Sequence, residues 1–544
     1  MGFRAQFARS VFPLHGLQVL VMVLAAVLLL TWLARRLRVA SPIVLLLGGV
    51  PLAYVPWANG VPLPPSVILL IFLPALLYWE SLTMSLREIR ANLRMVLLMS
   101  IALVLATAGG VAAVGHALGL SWPVAWVLGA VVAPTDATPV TAMAGRMPRR
   151  MLTMLRAESL INDGTALVVF AIAVTMATGA KEFSWGYALS SFGTSYVGGT
   201  MVGLGVAWLV TRARKISNET LLENGINTLA PFMAFLLAEK IHASGVLAVV
   251  VCGLALSHVG PRLASGRTRL QARAFWQLTA FLLNGALFVL LGMQIRGALH
   301  RLTHYSLGEV LRDVLLVSAA VIGTRMIWMN TAPYIIRALD RRPQQRPRRI
   351  EARHRFLLAW SGFRGGTSLA AALAVPMTLV NGTRFPERDL IIVVTFGVIL
   401  VTLLVQGLTL PAVLHWARLP DDGAEAAREQ LHAERSAAEA GLAALPATAT
   451  RLGIPPSVAD RVRTDHEVHL HSLDNLDNLD NAVPEPNRHD DYHRLRAALL
   501  HHKRAAIIHL RDTRRIDDIV LRRVQARLDA EEMQLSPPPA IETE

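Results

Sequence analysis

One cysteine stands among 544 residues, Cys252, and it lies inside an apolar run. A disulfide framework is excluded, and a cysteine-based metal site has too few ligands to form. Charge is scarce too: Asp, Glu, Lys and Arg make up 17% of the chain, against 53% apolar residues. Aromatics supply only 6%, so the apolar mass is Leu, Val and Ala, and the mean hydropathy is +0.45. That balance is foreign to a soluble protein and ordinary for a polytopic membrane protein. Acid is scarcer than base, 38 residues against 53, which gives a formal net charge of +15. In a soluble chain the excess would suggest nucleic acid. Here the basic residues fall in short stretches between apolar runs, which points to membrane topology and leaves no part for nucleic acid. No cleavage-like site follows the first apolar stretch, "LQVLVMVLAAVLLLTWLA"; "RRLR" does. The stretch is about as long as a spanning helix and is read as the first of them, not as a signal peptide.

Thirteen apolar segments precede Pro420, centred roughly on residues 26, 47, 71, 105, 133, 167, 200, 234, 251, 286, 320, 367 and 402. The segments near 234 and 251 are close enough to leave the count open by one. Arginines and lysines cluster after odd-numbered segments: Arg35, Arg36 and Arg38; Arg87, Arg90 and Arg94; Arg146, Arg149, Arg150 and Arg156. The pattern continues with Arg212, Arg214 and Lys215, then Arg262, Arg267, Arg269 and Arg273, then "RRPQQRPRR" at 341–349. Even-numbered segments are followed by far fewer. The basic side is the cytoplasmic side, so the N-terminus is expected outside and the C-terminus inside, in a cytoplasmic membrane. The expected architecture is all-α and polytopic, with about thirteen transmembrane helices in residues 1–419. Residues 420–544 turn polar, rich in Ala, Arg, Glu and His, and are expected to form a helical cytoplasmic domain. Within it "LDNLDNLDN" lacks the alternate ligand spacing of a calcium loop and reads as a linker or helix-end repeat.

The sixth segment begins "ESLINDGTALVVF", with Glu158, Ser159, Asn162 and Asp163 in six positions. A carboxylate near the bilayer centre costs from about 2.5 to more than about 10 kcal/mol, so two of them need a partner, a cavity or an ion. Glu158 and Asn162 share one helix face, and Ser159 and Asp163 share the next, about 100° round. Four polar groups on adjoining stripes suggest a lined cavity; the plainer reading is an interhelical hydrogen-bond network without a ligand. In the fifth segment, "APTDATPV", Pro134 and Pro139 bracket Thr135, Asp136 and Thr138. Two prolines break or unwind a helix, and broken backbone at membrane depth persists only where protein or a water cavity satisfies it. Freed carbonyls with Thr and Asp oxygens suit a hard monovalent cation, as in the discontinuous helices of secondary transporters. Seven segments on, "WSGFRGGTSLA" sets Arg364 among Gly362, Gly365 and Gly366. The odd offset gives the two broken helices opposite orientations, which an inverted repeat requires. Asp136 and Arg364 would offset the partial charges of opposed half-helix ends. Arg325, within the eleventh segment, needs an anion, and Glu158 is the carboxylate left over. Glu80 is as easily interfacial as functional. Glu239, with Lys240 and His242, fits a membrane edge, and Asn284 fits helix–helix contact as well as a site.

"APTDATPV", "ESLINDGTALVVF", "AEKIHASGVLAVVVCG", "FLLNGALFVLLG", "WSGFRGGTSLA" and "LLVQGLTLPAVL", in this order, resemble the first family of monovalent cation–proton antiporters, its NhaP-like bacterial sodium–proton group. The resemblance covers roughly residues 15–418. It implies a thirteen-helix protomer with crossed broken helices, a homodimer built from scaffold domains, and an ion site at Asn162 and Asp163 with Asp163 as carrier. Thr135, Asp136 and Ser159 match positions lining that site, Glu80 matches an acidic position near it, and Glu158 and Arg325 match a buried ion pair.

An empty, charged carboxylate is costly in an apolar core, so a proton and a cation would compete for Asp163. Asn162 ligates without adding charge, so one cation exchanges for one proton and the cycle is electroneutral. The substrates expected are H+ and Na+, with Li+ or K+ as alternatives; neither a cofactor nor an enzymatic step is expected. The other classes to weigh are a cation channel, which needs a continuous polar path, and a tail-dominated signalling protein. The tail holds about half of the histidines, among them His466, His469, His471, His493, His501, His502 and His509. Solvated helix faces account for them more simply than pH sensing.

Overall fold

The computed structural model describes residues 2–37, 39–55, 68–84, 86–91, 96–143, 147–180, 184–216, 219–263, 265–302, 305–339, 351–419 and 423–477, with isolated positions beyond. The basic run at 341–349, the end of "LDNLDNLDN" and His493, His501, His502 and His509 lie outside the described residues. Within them the regular elements are helices, joined by a single isolated bridge between Thr378 and Arg384. The chain divides into two compact units, Met1–Leu419 and Pro420–Glu544.

The first unit opens with α1 (Gly2–Leu37), α2 (Ser41–Leu52), α3 (Leu73–Thr83) and the short α4 (Leu86–Ala91). Then come α5 (Leu103–Ala117), α6 (Trp122–Val132), α7 (Thr138–Met143), α8 (Arg149–Ala177) and α9 (Trp185–Ile216). The series continues with α10 (Thr220–Lys240), α11 (Gly245–Leu263), α12 (Gly266–Arg301) and α13 (Leu307–Leu339). It closes with α14 (Ala352–Trp360), α15 (Gly366–Ala374), α16 (Arg388–Val401) and α17 (Gly407–Ala417), the last two joined by a π-helical turn, Thr402–Gln406. Pro42, Pro74 and Pro123 open α2, α3 and α6 in the first turn, where a missing N–H costs nothing.

Among the described residues seven helices are long and apolar enough to cross a membrane, and four shorter apolar helices accompany them. With α13 and the interrupted pair α14–α15 they make the thirteen segments of the sequence. The close segments near 234 and 251 are two helices. Their turn is set by His242 in the left-handed region, φ +58°, with the Ile241 and Ala243 N–H groups closing on Ala238 O.

Two groups of helices share the core. One apolar cluster, with Val111, Val127, Phe170, Val317, Val375 and Val398, unites α5, α6, α8, α13, α15 and α16 into a bundle. The other unites α1, α2, α3 and α9–α12 into a scaffold and continues onto the first half of α8 and onto one side of α13–α17, where scaffold meets bundle. In the scaffold α2 and α12 approach to backbone contact. A Cβ on Gly292 would lie 2.2 Å from Leu46 O, and one on Gly49 would lie 2.3 Å from Val289 O. α9 turns Trp185, Leu189, Val197, Met201 and Trp208 outward, the surface that lipid accepts. In the second unit α18 (Gly423–Leu452) and α19 (Pro456–Asp477) pack as a hairpin, with Gly453 at φ +65° in the turn and His466 beside Gly441.

Candidate functional site

The chain unwinds twice inside the bundle, at 133–137 between α6 and α7 and at 361–365 between α14 and α15. Pro134 lies in the first break, where its ring forbids helix. Pro139 does not: it is the second residue of α7, where a proline starts a helix and does not end one. The breaks touch. Asp136 N–H donates to Phe363 O at 2.9 Å, and the Asp136 carboxylate accepts from the N–H of Thr138 (2.8 Å) and of Gly366 (3.2 Å). One carboxylate thus sits at the N-termini of α7 and α15, where the free N–H groups carry partial positive charge.

Arg364 is its counterpart at the other polarity. Its Nε donates to Val132 O, the last residue of α6, at 2.9 Å, and its Nη1 donates to Gly362 O just past α14. The cation meets carbonyls that the break has orphaned. Gly365 explains why a glycine stands beside it: a Cβ there would lie 1.7 Å from Asp136 Oδ2. The crossing admits no side chain at that point.

α8 passes alongside. Ser159 Oγ donates to Thr135 O at 2.8 Å, and Asn162 Nδ2 donates to Thr135 Oγ1 at 2.6 Å. Thr135 Oγ1 in turn reaches Glu158 Oε1 at 3.4 Å. Glu158 is paired with Arg325 of α13 through both guanidinium nitrogens, Nη2 to Oε2 at 3.0 Å, and the side chains are 3% and 2% exposed. Arg325 also donates to Leu358 O, from Nη2 at 3.1 Å, capping the last turn of α14. Asp163 accepts one hydrogen bond at Oδ2, from the Thr367 hydroxyl in the first turn of α15 (2.7 Å).

Two buried acceptors remain: Asp163 Oδ1 and Asn162 Oδ1 have no hydrogen-bond donor among the described residues. A buried oxygen without a donor costs about 1–3 kcal/mol, and more when charged. The two oxygens belong to neighbouring residues of α8, beside the Thr135 and Ser159 hydroxyls, and oxygen is the ligand type that a hard cation takes. Glu80, half-buried on α3 of the scaffold, stands within electrostatic reach of Asp136, Asp163 and Arg156. Among the described residues no group of three His, Cys, Asp or Glu side chains converges as a metal site would, and Cys252 is buried and free.

All of Thr135, Asp136, Glu158, Ser159, Asn162, Asp163, Arg325 and Arg364 therefore lie in one connected cluster. Glu239 and His242 do not: they sit at the α10–α11 turn, where Glu239 accepts from Gly245 N–H at 3.4 Å. Asn284 on α12 faces the start of α15, its Oδ1 being 3.3 Å from where a Gly366 Cβ would stand. Thr367 joins the cluster too, from just past the paired glycines of the second break, and nothing in the sequence sets it apart from an ordinary threonine of a transmembrane helix.

The family model "Sodium/hydrogen exchanger, transmembrane" matches residues 23–416. The chain belongs to the sodium/hydrogen exchanger family. An uncharacterized Na(+)/H(+) exchanger of Mycobacterium tuberculosis is 46% identical over 527 residues, spanning 96% of this chain and 97% of that protein. The Na(+)/H(+) antiporter ApNhaP of Aphanothece halophytica is 32% identical over 438 residues, 78% of each chain. Among solved structures, the sodium proton antiporter MjNhaP1 of Methanocaldococcus jannaschii superposes with a TM-score of 0.57 at 18% identity, over 73% of this chain and 97% of that one. At that identity the likeness speaks for the fold alone, a membrane unit of thirteen segments that is helical throughout its described elements.

Proposed function

We propose that this exchanger trades a monovalent cation for a proton at Asp163, sodium first, with lithium or potassium as alternatives. The observation that carries the reading is the pair of buried acceptors without donors among the described residues, Asp163 Oδ1 and Asn162 Oδ1, beside the crossing of two broken helices. An ionised Asp163 is costly there unless a cation or a proton neutralises it, so the two compete for one site. Asn162, Ser159 and the Thr135 hydroxyl add oxygen ligands without charge, and Thr367 steadies the carboxylate. The Asp136 carboxylate is engaged by the N–H groups of two helix N-termini and serves to hold the crossing together. Exchange of one cation for one proton then moves no net charge. Glu80 supplies a second carboxylate from the scaffold side and tunes the occupancy of the site. Rocking of the bundle against the scaffold offers the site to each side in turn.

The clustering of arginine at alternate segment ends supports α1 starting outside and residues 420–544 lying in the cytoplasm, with the exchanger in the cytoplasmic membrane. Two copies pair through scaffold helices, which turn apolar residues outward. The test is proton movement in proteoliposomes holding an acid-inside gradient, on adding sodium, lithium or potassium. Dissipation by one cation, reduced to the protein-free background in Asp163→Asn, is the expected result and names the ion. No response to any cation from folded protein overturns the proposal.

A further inference from the structure

Among the described residues, side-chain hydrogen bonds cross from bundle to scaffold on the side of the site away from the arginine-rich ends, here the outer side, and two of them stand in line with the site. Thr165 is two residues past Asp163 on α8, about 3 Å further out at the rise of a helix. Its side chain is 0% exposed, and its Oγ1 lies 2.6 Å from the hydroxyl of Tyr196 on scaffold helix α9. The Tyr196 ring is itself stacked on Phe192, centroids 4.6 Å apart. Further out, Arg301 at the end of α12 grips Asp389 at the start of α16, with Nε–Oδ1 at 3.0 Å and Nη2–Oδ1 at 2.8 Å. Beyond Thr165, the α8 residues Ala166, Val169 and Phe170 are buried and apolar.

We propose that the Thr165–Tyr196 hydrogen bond is the outer gate of the exchanger, with Arg301–Asp389 as its rim latch. Both must part before Asp163 meets the outer solution. The inference rests on the antiport reading and adds to it a positioning residue, Tyr196, which touches neither cation nor proton site.

The two hydroxyls differ in what they lose. Thr165 Oγ1 also reaches Ile161 O, four residues back at 3.3 Å, so it keeps a partner when Tyr196 withdraws. Tyr196 has no such reserve among the described residues; its hydroxyl needs water at once. A hydroxyl left dry costs the full desolvation penalty, so the bond breaks only as water enters. Opening and flooding of the outer side are thereby one event, which keeps a half-open, leaking state rare.

The experiment replaces the sole cysteine, Cys252→Ala, and introduces Val169→Cys, one turn beyond Thr165 on the same face. A membrane-impermeant maleimide added outside then reports access, read without any cation gradient. Tyr196→Phe keeps the ring stack and deletes the bond; it is expected to raise the labelling rate roughly three- to tenfold, the weight of one net hydrogen bond. It should also lower the apparent KM for cation outside relative to inside, a split that a merely structural defect does not produce. Should Tyr196→Phe fail to reach the membrane, Thr165→Val tests the same bond, and Arg301→Gln tests the latch at the solvent-exposed rim with an expected rise of about twofold. Unchanged labelling in variants that fold and transport overturns the gate. Loss of cation-driven proton movement in the unmodified protein would instead overturn the antiport reading, so the two failures are distinct.

Discussion

Arg325 and Glu158 are the side chains with most at stake. Each is held in an environment that a lone charge cannot survive, and each completes a second task. Arg325 closes an orphaned carbonyl of α14, and Glu158 meets the Thr135 hydroxyl that holds Asn162. Removing one partner from a buried pair costs about 3–5 kcal/mol, because the other charge stays behind. Glu158→Gln and Arg325→Ala are each expected to cut the folded yield after heating in detergent, and transport with it. The exchanged pair Glu158→Arg/Arg325→Glu is expected to recover part of the folded yield. A double variant no better than either single one would show that the pair does not act as a unit.

At this scale the sequence was informative wherever a charge had no business in an apolar run. Glu158, Asp163, Arg325 and Arg364 announce themselves by their cost in lipid. Thr367, Tyr196 and the carbonyls of Val132 and Leu358 do not, because a threonine, a tyrosine or a main-chain oxygen is ordinary in any transmembrane helix. Their roles appear only when two distant segments are seen to meet.

Among the elements, α2 and α12 show how far close approach can go. Gly49 and Gly292 let the two backbones touch, and Arg296 secures the end of the pair, its guanidinium 4.0 Å from the Tyr54 ring centroid and its Nη1 donating to Ala53 O at 2.9 Å. Gly292→Leu would force its side chain against Leu46 O. Overpacking against backbone costs about 3 kcal/mol or more, since no rotamer relieves it. The expected outcome is loss of the monodisperse peak after mild heating, while Gly205→Leu, on α9 with open space around it, leaves the peak unchanged. Hydropathy located these helices because length and apolarity suffice for that. Proline position was only half legible: Pro134 breaks its helix and Pro139 begins the next, and the difference depends on where the turn restarts. The π-helical turns before α3 and α5 and between α16 and α17 left no sign in the pattern.

For the molecule as a whole, the division at 419/420 coincides with the fall in hydropathy, and the family match ends at residue 416. The described part of the second unit is a hairpin whose charges pair along each helix, Arg435 with Glu439 at 2.9 Å and Arg463 with Asp460 at 3.1 Å. Exposed pairs of that kind contribute about 0.2–1 kcal/mol each and suit a solvated surface. A chain ending at Leu419 is expected to keep the pH profile of exchange seen for the full chain. A shifted midpoint after truncation would assign the tail histidines a sensing role. Bundle and scaffold, by contrast, were not legible as separate groups: apolar residues look alike whichever neighbour they face, and only packing sorts them.

The mutual hold of Asp136 and Arg364 on each other's half-helices has a consequence for how the two compartments are treated. The groups that would touch the ion, save Glu80, are Thr135, Ser159, Asn162, Asp163 and Thr367, all from the bundle, and the crossing fastens their two breaks into a single body. Such a body travels without being rebuilt. The ruler that measures an ion's size is then the same ruler at the inner face and at the outer one, and the preference among alkali ions becomes a property of the carriage and not of the station.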